Sequence, residues 1–413
     1  MNSKRVCLVT PGHLSCNPRL LKEAYALHDA GFEVRVISAD YSAQARLLDN
    51  SILPQVPFSW TKISMGTKLS YFKHRFCQQL ARKLASKGMI PNLSIATWMH
   101  SPMSYQLAQA AAKEPADLYI AHNLAALPAA AIASKKHNAK LGFDAEDFHV
   151  GQLCDTTENK TEIAIRDYIE RTLLPRCQHL TAASPGIAAA YAQRYDVSMQ
   201  PILNVFPLRE APTFVDEENT HEGIPREPSL YWFSQTIGAG RGLEAIIQAM
   251  GLMRTPVRLN LRGNPAVGYE AELMQLAQKV GVGSRIHLSP LASPEKMAQL
   301  AVYHDIGLSL ELSQPLNRAI CLTNKIFTYL LAGIPVLMSS TPAQKELAKN
   351  LKSAALLIDI HQPQDIGTKL DNFFSNPENL KTARIQAQRL GREKYNWDLE
   401  KNKFLNIIEH VLA

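Results

Sequence analysis

The chain has 413 residues, of which 46% are hydrophobic and 20% are charged, and its formal net charge is +7. This balance is typical of a folded globular protein and excludes a largely disordered one, and the length predicts two domains. No run of residues approaches the roughly 18 apolar positions that a membrane-spanning helix needs. The positive charge indicates an anionic partner, which by charge alone could be a phosphate compound, a membrane surface or a nucleic acid.

The N-terminal sequence MNSKRVCLVTPGH begins with basic residues, but its apolar run is too short for the core of a signal peptide. We interpret it as a first buried strand and expect a cytoplasmic protein. The cysteines are scattered and form no Cys-x-x-Cys pair, which favours reduced thiols and argues against a zinc site. They are Cys7, Cys16, Cys77, Cys154, Cys177 and Cys321.

Short β-rich apolar runs alternate with segments of helical period through the first half of the chain, which predicts parallel βαβ units. Asn17 followed by Pro18 marks the start of the first helix, because asparagine caps a helix and proline fits its first turn. The predicted strands of this half are Arg5–Pro11, Glu33–Ser38, Asp117–Ala121, Lys140–Asp144, His179–Ala183 and Ile202–Phe206.

A segment rich in proline and acidic residues, 208–229, interrupts this alternation and predicts the connection between two domains. The alternation then restarts and closes with a helical tail. We therefore predict an α/β protein with two doubly wound parallel-sheet domains, 1–210 and 211–390, that face a central cleft. The predicted strands of the second half are Leu230–Ser234, Arg258–Arg262, Arg285–Ser289, Ile306–Leu310, Pro335–Ser340 and Ala354–Asp359.

Ligands of such sheets bind outside the carboxyl ends of the strands, so the residues that follow strands are candidates for a site. Gly12 and His13 leave the first strand and lead to the helix that begins at Asn17. A glycine there lets the backbone approach a ligand, and the helix end favours an anion. An ordinary tight turn would have the same residues.

Polar residues follow two further strands. His122 and Asn123 emerge from the strand in DLYIAHNLAALPA, where a buried histidine with satisfied hydrogen bonds is the alternative interpretation. The stretch LGFDAEDFH, at the end of the next strand, contains Asp144, Glu146, Asp147 and His149. These acids could hold hydroxyl groups or act as acid and base, and they could equally cap the next helix.

A glycine-rich loop follows the first strand of the second half, in YWFSQTIGAGRGLEAIIQAM. Gly238, Gly240 and Gly242 give backbone freedom, and Arg241 places a permanent cation in the same loop, a combination that suits a diphosphate. Glycine-rich turns between strand and helix are common. This one lacks the Gly-Lys-Ser/Thr of a Walker loop and the acidic partner of a dinucleotide fingerprint.

The stretch LTNKIFTYLLAGIPVLMSS predicts a short helix that begins at Thr323, ends at Gly333 and precedes a strand. Thr323 can cap this helix, so that its first turn presents N–H groups with partial positive charge. Asn324, Lys325 and Thr328 share one face, while apolar side chains take the other face into the core. The polar face predicts a binding site for a nucleotide diphosphate, although an ordinary capped helix would have the same residues.

The stretch KLSYFKHRFCQQLARKLASKG, within 68–88, combines an apolar stripe at helical spacing with several basic residues. Such a helix can bind an anionic membrane surface, and a surface helix that packs its stripe inward is the alternative. Nucleic-acid binding is disfavoured, because the basic residues do not concentrate with exposed aromatic residues into a known module.

Several motifs together resemble one family over essentially the whole chain. They are NPRLLKEAYALHDAGFEVRVIS, AHNLAALPAA and GFDAEDFH in the first half, and RGLEAIIQAM, NKIFTYLLAGIPVLMSS and the tail helix in the second. The chain resembles the retaining glycosyltransferases of the GT-B fold, in the group that includes family 4. The resemblance implies that a nucleotide sugar binds the second domain and a glycan or lipid-linked acceptor the first, and that the helix 391–413 packs back on the first domain. It also implies sugar transfer with retention, without a metal or a further cofactor, in the biosynthesis of a cell-surface polysaccharide or glycolipid.

The resemblance also implies individual roles. His122 matches the family histidine near the donor sugar, Gly12 the glycine near the reacting centre, and Arg241 the cation that neutralises the diphosphate. Gln235 falls where many members have a second cation. The other expected donor contacts are Gly240, Glu311, Thr323, Asn324, Lys325 and Thr328, and the expected acceptor contacts are His13, Asn123, Asp144 and Glu146.

One departure from the family concerns two glutamates separated by seven residues, the second of which contacts the ribose. Their positions are occupied here by Ile320 and Thr328. Thr328 can still hydrogen-bond a ribose hydroxyl, more weakly because it lacks charge, and either Asn324 with Lys325 or Glu311 can compensate. Two other functions therefore stay open: a degenerate GT-B protein that binds a nucleotide or glycan without transfer, and a nucleotide-sugar epimerase that uses the acids around Asp144.

Overall fold

The computed structural model describes residues 3–64, 78–79, 90, 92–213 and 227–413. The chain divides into two compact units. The first comprises Met1–Ile202, Pro315–Asn317 and Lys401–Ala413, and the second comprises Leu203–Gln314 and Arg318–Glu400. The domain boundaries expected from the sequence stay predictions, and the basic stretch 68–88 lies almost entirely outside the described residues.

The first unit is built on a parallel sheet of seven strands in the order β3-β2-β1-β4-β5-β6-β7. Its strands are β1 Arg5–Val9, β2 Glu33–Asp40, β3 Ser59–Ser64, β4 Leu118–His122, β5 Lys140–Ala145, β6 His179–Ala182 and β7 Gln200–Pro201. The described helices between them are α1 Pro18–Asp29, α2 Ala43–Ile52, α3 Leu93–His100, α4 Met103–Ala111, α5 Leu127–His137, α6 Lys160–Leu173 and α7 Pro185–Tyr195. Helix α1 begins as predicted, because the Asn17 side chain accepts a hydrogen bond from the Leu20 amide and Pro18 occupies the first turn.

The second unit is built on a parallel sheet of six strands in the order β10-β9-β8-β11-β12-β13. Its strands are β8 Ser229–Ile237, β9 Arg258–Pro265, β10 Ile286–Ser289, β11 Ile306–Ser309, β12 Val336–Ser339 and β13 Ala355–Ile358. The helices from residue 243 onward are α8 Leu243–Leu252, α9 Tyr269–Lys279, α10 Met297–Ala301, α11 Leu316–Ile320, α12 Asn324–Leu331, α13 Pro342–Leu351, α14 Pro363–Phe374, α15 Pro377–Glu393 and α16 Trp397–Leu412. None of these or the other described helices combines the length and apolar character that crossing a membrane requires.

The structure confirms the parallel α/β architecture of both halves and corrects two strand predictions. The predicted strand Ile202–Phe206 is wrong: only Gln200–Pro201 pairs with β6, and beyond it the chain bonds to a C-terminal segment instead. The Leu203 amide donates to the Glu400 carboxylate, and the Phe206 carbonyl accepts from the Trp397 amide. Edge strand β3 was missed, because its sequence SWTKIS contains no apolar run.

Both sheets have a point at which the order of their strands reverses. In the first sheet it lies between β1 and β4, which are paired with Val9 opposite Ala121. In the second sheet it lies between β8 and β11. In open parallel sheets, ligands bind in the crevice outside the carboxyl ends of the strands at this point. The loops that follow these four strands contain several of the residues singled out in the sequence, among them Gly12, Asn123 and Arg241.

Candidate functional site

The loop between β8 and α8 is tightly constrained. Gly240 and Gly242 adopt positive φ angles of 71° and 74°, which glycine tolerates without strain. A Cβ atom on Gly242 would also lie 3.0 Å from Leu310 and Ile360, so the loop packs closely against the end of β11. Arg241 lies between these two glycines and is partly exposed. The loop therefore holds a guanidinium group at the switch point of the second sheet.

Helix α12 ends as predicted, because Gly333 adopts a positive φ of 72°. Thr323 occupies the N-cap position, but the prediction that its side chain caps the helix is wrong: its hydroxyl lies 3.4 Å from the Ser309 hydroxyl instead. Two residues of the predicted polar face, Lys325 and Thr328, are also buried. Thr328 is only 1% exposed and donates its hydroxyl to the Asn324 carbonyl at 3.0 Å, so the hydroxyl is not open to a ribose.

Lys325 is a buried cation in this helix, with its Nζ atom 5.6 Å from the centre of the Trp232 ring. Burial lowers the pKa of Lys325, the nearby charges of Arg241 and Arg318 lower it further, and Glu311 opposes them. These interactions place Arg241, Arg318 and Glu311 within electrostatic range of the Lys325 side chain. An anion bound among them would compensate the repulsion between the cations.

Arg318 is a member of this group that the sequence interpretation missed. Its guanidinium donates to the Gly240 carbonyl and so joins α11 to the glycine-rich loop. The sequence separation of 78 residues hides this contact, and the arginine belongs to no motif. The remaining expected donor residues lie in the same unit: Gln235 and Gly240 are exposed, Asn324 is half-buried, and Glu311 is buried.

In the first unit, His122 belongs to a buried cluster of charges. Its Nε2 atom lies 3.2 Å from Glu23, and its Nδ1 atom lies 3.3 Å from Asp144. Arg19 binds both oxygens of Asp144 at 2.6 Å and lies 3.5 Å from Glu23. Thr181 donates to the same carboxylate at 2.6 Å. The side chains of these residues connect α1, β4, β5 and β6 at the carboxyl end of the sheet.

The electrostatics of this cluster follow from burial and pairing. Burial disfavours a charged imidazole, but the facing carboxylates of Glu23, Asp144 and Glu146 outweigh it and hold the pKa of His122 well above its usual range. Burial likewise opposes the ionised form of Asp144, and Arg19 with His122 overcomes it, so the pKa of Asp144 is strongly lowered. Glu23, His122 and Asp144 have the spacing of metal ligands, but the Arg19 guanidinium already supplies positive charge there.

The loops after β1 and β4 place the remaining first-unit candidates. His13 is fully buried; its Nδ1 atom lies 2.8 Å from Asp49 and its Nε2 atom accepts from the Tyr41 and Ser42 amides. Both ring nitrogens are therefore engaged within the protein, and we do not retain His13 as an acceptor contact. Gly12, half-buried, donates its amide to the Thr10 hydroxyl at 3.2 Å.

Asn123 and Glu146 differ from these buried groups in their exposure. Asn123 is exposed and has φ 76° and ψ 150°, a backbone conformation that residues other than glycine rarely adopt and that costs about 1–3 kcal/mol. The Glu146 side chain is 29% exposed and accepts from the Asn17 side chain at 2.6 Å. Asp144 is fully buried and engaged at both oxygens, so it cannot contact a substrate in this conformation.

Comparison with solved structures defines the fold. No protein-family model matches the chain, and a search among curated proteins also finds no match. HepE (Alr3699) from Anabaena, in complex with UDP and glucose, matches with a TM-score of 0.72 at 15% identity, over 98% of this chain and 100% of that one. Sucrose-phosphate synthase from Thermosynechococcus elongatus matches with a TM-score of 0.72 at 12% identity, over 99% of both chains. WaaG, a glycosyltransferase involved in lipopolysaccharide biosynthesis, matches with a TM-score of 0.59 at 14% identity, over 98% and 99%.

These neighbours and the two parallel sheets show that the chain has the GT-B fold, as the sequence predicted. The solved neighbours include glycosyltransferases, among them WaaG, and HepE has been solved with UDP-glucose.

Proposed function

We propose that the protein is a glycosyltransferase that moves a sugar from a nucleotide-diphosphate sugar to the hydroxyl of a glycan or lipid-linked acceptor. The observation that carries this proposal is the group formed by Arg241, Arg318 and Lys325 at the switch point of the second sheet. Three cations with one nearby carboxylate suit the diphosphate of a nucleotide sugar. The GT-B fold, and neighbours solved with UDP and UDP-glucose, support the same substrate class.

In this proposal the cations act on the leaving group. When the bond between the anomeric carbon and the diphosphate breaks, negative charge develops on the diphosphate oxygens. Arg241 reaches this charge from the glycine-rich loop, Arg318 from α11 and Lys325 from α12. Because Lys325 is buried, its charge is weakly screened and its effect is large. We propose that these side chains serve in place of a divalent metal.

In this proposal the first unit binds the acceptor, and the contacting residues are Gly12, Asn123 and Glu146 in the loops after β1, β4 and β5. Transfer with retention is proposed from the family resemblance. From the same resemblance we propose a role in the synthesis of a cell-surface polysaccharide or glycolipid. We also propose a cytoplasmic location in which the basic stretch 68–88 binds an anionic membrane.

UDP binding measured by isothermal titration calorimetry tests the donor site. A hydrogen bond to a charged group contributes about 1.5–3 kcal/mol, so Arg241→Ala should raise the Kd for UDP by about 10- to 150-fold. Arg254→Ala is the matched control: Arg254 precedes β9 and so lies at the amino ends of the strands, away from the carboxyl ends, its side chain is 87% exposed, and its loss should leave the Kd unchanged. Equal Kd values for the Arg241 variant and the wild type would remove Arg241 from the site.

A second candidate function is favoured by the burial of Thr328 and His122. A protein that binds a nucleotide sugar without transferring the sugar would need neither residue open to its ligand. The two functions are separated by incubating the wild type with UDP-glucose and a panel of methyl glycosides and measuring the release of UDP. Tight binding without release of UDP supports the binding protein, and release that depends on a glycoside supports the transferase. The epimerase alternative loses one of the two acids proposed for it, because Asp144 is engaged by Arg19, His122 and Thr181.

A further inference from the structure

Asn123 is an exposed residue in a strained backbone conformation at the switch point of the first sheet. Strain of this kind persists only where the surrounding structure imposes it, and it is concentrated at functional sites. Glycine would adopt φ 76° without strain, so the presence of asparagine needs an explanation. Its side chain offers both a donor and an acceptor, which suits the hydroxyl groups of a sugar.

The residue before Asn123 is held by its side chain. His122 is fully buried, and each of its ring nitrogens faces a carboxylate: Glu23 on one side and Asp144 on the other. Arg19 binds both carboxylates in turn and also donates to the Ile202 carbonyl at 2.6 Å. The end of β4 is therefore fixed by ionic contacts from α1 and β5.

The residue after Asn123 is held by its backbone. The Leu124 amide donates to the Nε2 atom of His149 at 3.3 Å, so the proton of that ring lies on Nδ1. That Nδ1 atom lies 2.8 Å from the Tyr191 hydroxyl and 3.1 Å from Glu170, both of them buried. Two histidines thus fix the backbone on both sides of Asn123, and neither ring is exposed.

We propose that Asn123 is the acceptor-contacting residue of this loop and that His122 is a positioning residue, which holds Asn123 in its strained conformation through Glu23 and Asp144. This inference rests on the proposed transferase function and revises the role that the family resemblance implied for His122. The ligand class is a sugar hydroxyl of the acceptor, and the contacting group is the carboxamide of Asn123.

The variant Asn123→Gly separates function from structure, because glycine tolerates the backbone conformation but lacks the carboxamide. The thermal midpoint should be unchanged or raised by up to about 4 °C, since relief of strain outweighs the greater flexibility of glycine in the unfolded chain. Glycoside-dependent release of UDP from UDP-glucose should fall at least tenfold, while the Kd for UDP stays unchanged. Asn138→Gly is the control: Asn138 also has a positive φ, 51°, at the end of α5, and its loss should not change transfer.

The protonation state of His122 can be tested without an activity assay, by nuclear magnetic resonance of the histidine ring nitrogens in the full chain. The carboxylates that face this ring are Glu23, Asp144 and Glu146, Arg19 binds the first two of them, and His179 lies near. The signal that disappears in His122→Gln and shifts in Glu23→Gln should show both ring nitrogens still protonated at pH values well above 6.5, the ordinary histidine value.

Three outcomes would overturn the inference. One is a His122 ring that titrates near the ordinary histidine value of about 6.5. The others are a thermal midpoint of Asn123→Gly more than about 2 °C below the wild type, and transfer by that variant within twofold of the wild type. Failure of the wild type to bind UDP would instead refute the proposed function and leave the first two tests in force.

Discussion

Replacing His179 should change the pH dependence of stability by an amount that the structure defines. His179 lies at the start of β6, fully buried between the Phe404 ring, whose centre is 5.9 Å away, and the backbone of Gly142. Neither ring nitrogen has a hydrogen-bond partner. Burial disfavours the charged ring, Asp144 opposes this only in part, and the charges of His122 and Arg19 disfavour the charged ring further, so the pKa of His179 falls from 6.5 to about 4.

The sign and size of the pH effect of His179 follow from the linkage between proton binding and folding. A histidine with a lowered pKa binds fewer protons in the folded than in the unfolded state, so its stabilising effect is complete above pH 6.5 and is lost as the pH falls towards 4. At about 1.4 kcal/mol per pKa unit, the complete loss amounts to about 3 kcal/mol, and about 2 kcal/mol of it has occurred at pH 5. His179→Leu has a similar volume and no proton to bind, so it should not show this loss.

Urea denaturation of the wild type and of His179→Leu, at pH 7.5 and pH 5, measures the effect. The difference in unfolding free energy between the two proteins should shift by about 2 kcal/mol in favour of the variant at the lower pH. Exposed His410 in α16 provides the control, and His410→Gln should leave the difference between the two pH values as it is in the wild type. If wild type and His179→Leu lose the same stability between the two pH values, the buried neutral state of His179 is refuted.

Two further predictions concern the second unit. Lys325→Met should raise the Kd for UDP about tenfold or more, because it removes a cation near Arg241 and Arg318. It should not lower the thermal midpoint, because a buried charge is costly. Calorimetry and thermal denaturation measure these two effects, and an unchanged Kd would exclude Lys325 from the site. Gly307→Ala should lower the unfolding free energy by about 1–3 kcal/mol, because the new Cβ atom would lie 2.2 Å from the Tyr329 ring on α12. The affinity of the Gly307→Ala variant for UDP should fall as well, because a shift of α12 moves Lys325. An affinity equal to that of the wild type would show that UDP binding does not depend on the position of α12.

Local patterns were sufficient for the parallel α/β architecture. A buried strand shows a continuous apolar run and a helix shows a period of 3.6, so β1, β4 and β8 are visible in a few residues of sequence each. Asn17 with Pro18 and Gly333 also act on their own turns, and their effects on α1 and α12 were predicted correctly. The same local logic failed for β3, whose edge position in the sheet leaves its sequence polar.

The sequence did not show which polar side chains are buried or which groups they contact. Thr323 has the chemistry of a cap, but its hydroxyl lies near Ser309. His13 and His122 follow strands in the same way as exposed Asn123, yet both rings are enclosed by carboxylates or amides from other elements. Arg318 has no motif and joins the cations only because α11 brings it to Gly240.

The sequence by itself determined where most strands and helices form, the strand ends at which polar residues collect, and the family that the motifs resemble. The tertiary structure decided which of those polar residues bind one another and which remain exposed. The physical reason is distance along the chain: Arg19 and Asp144 are 125 residues apart, and their ion pair exists only because α1 packs across the sheet. A charge so far from its partner has no local pattern that could predict its burial.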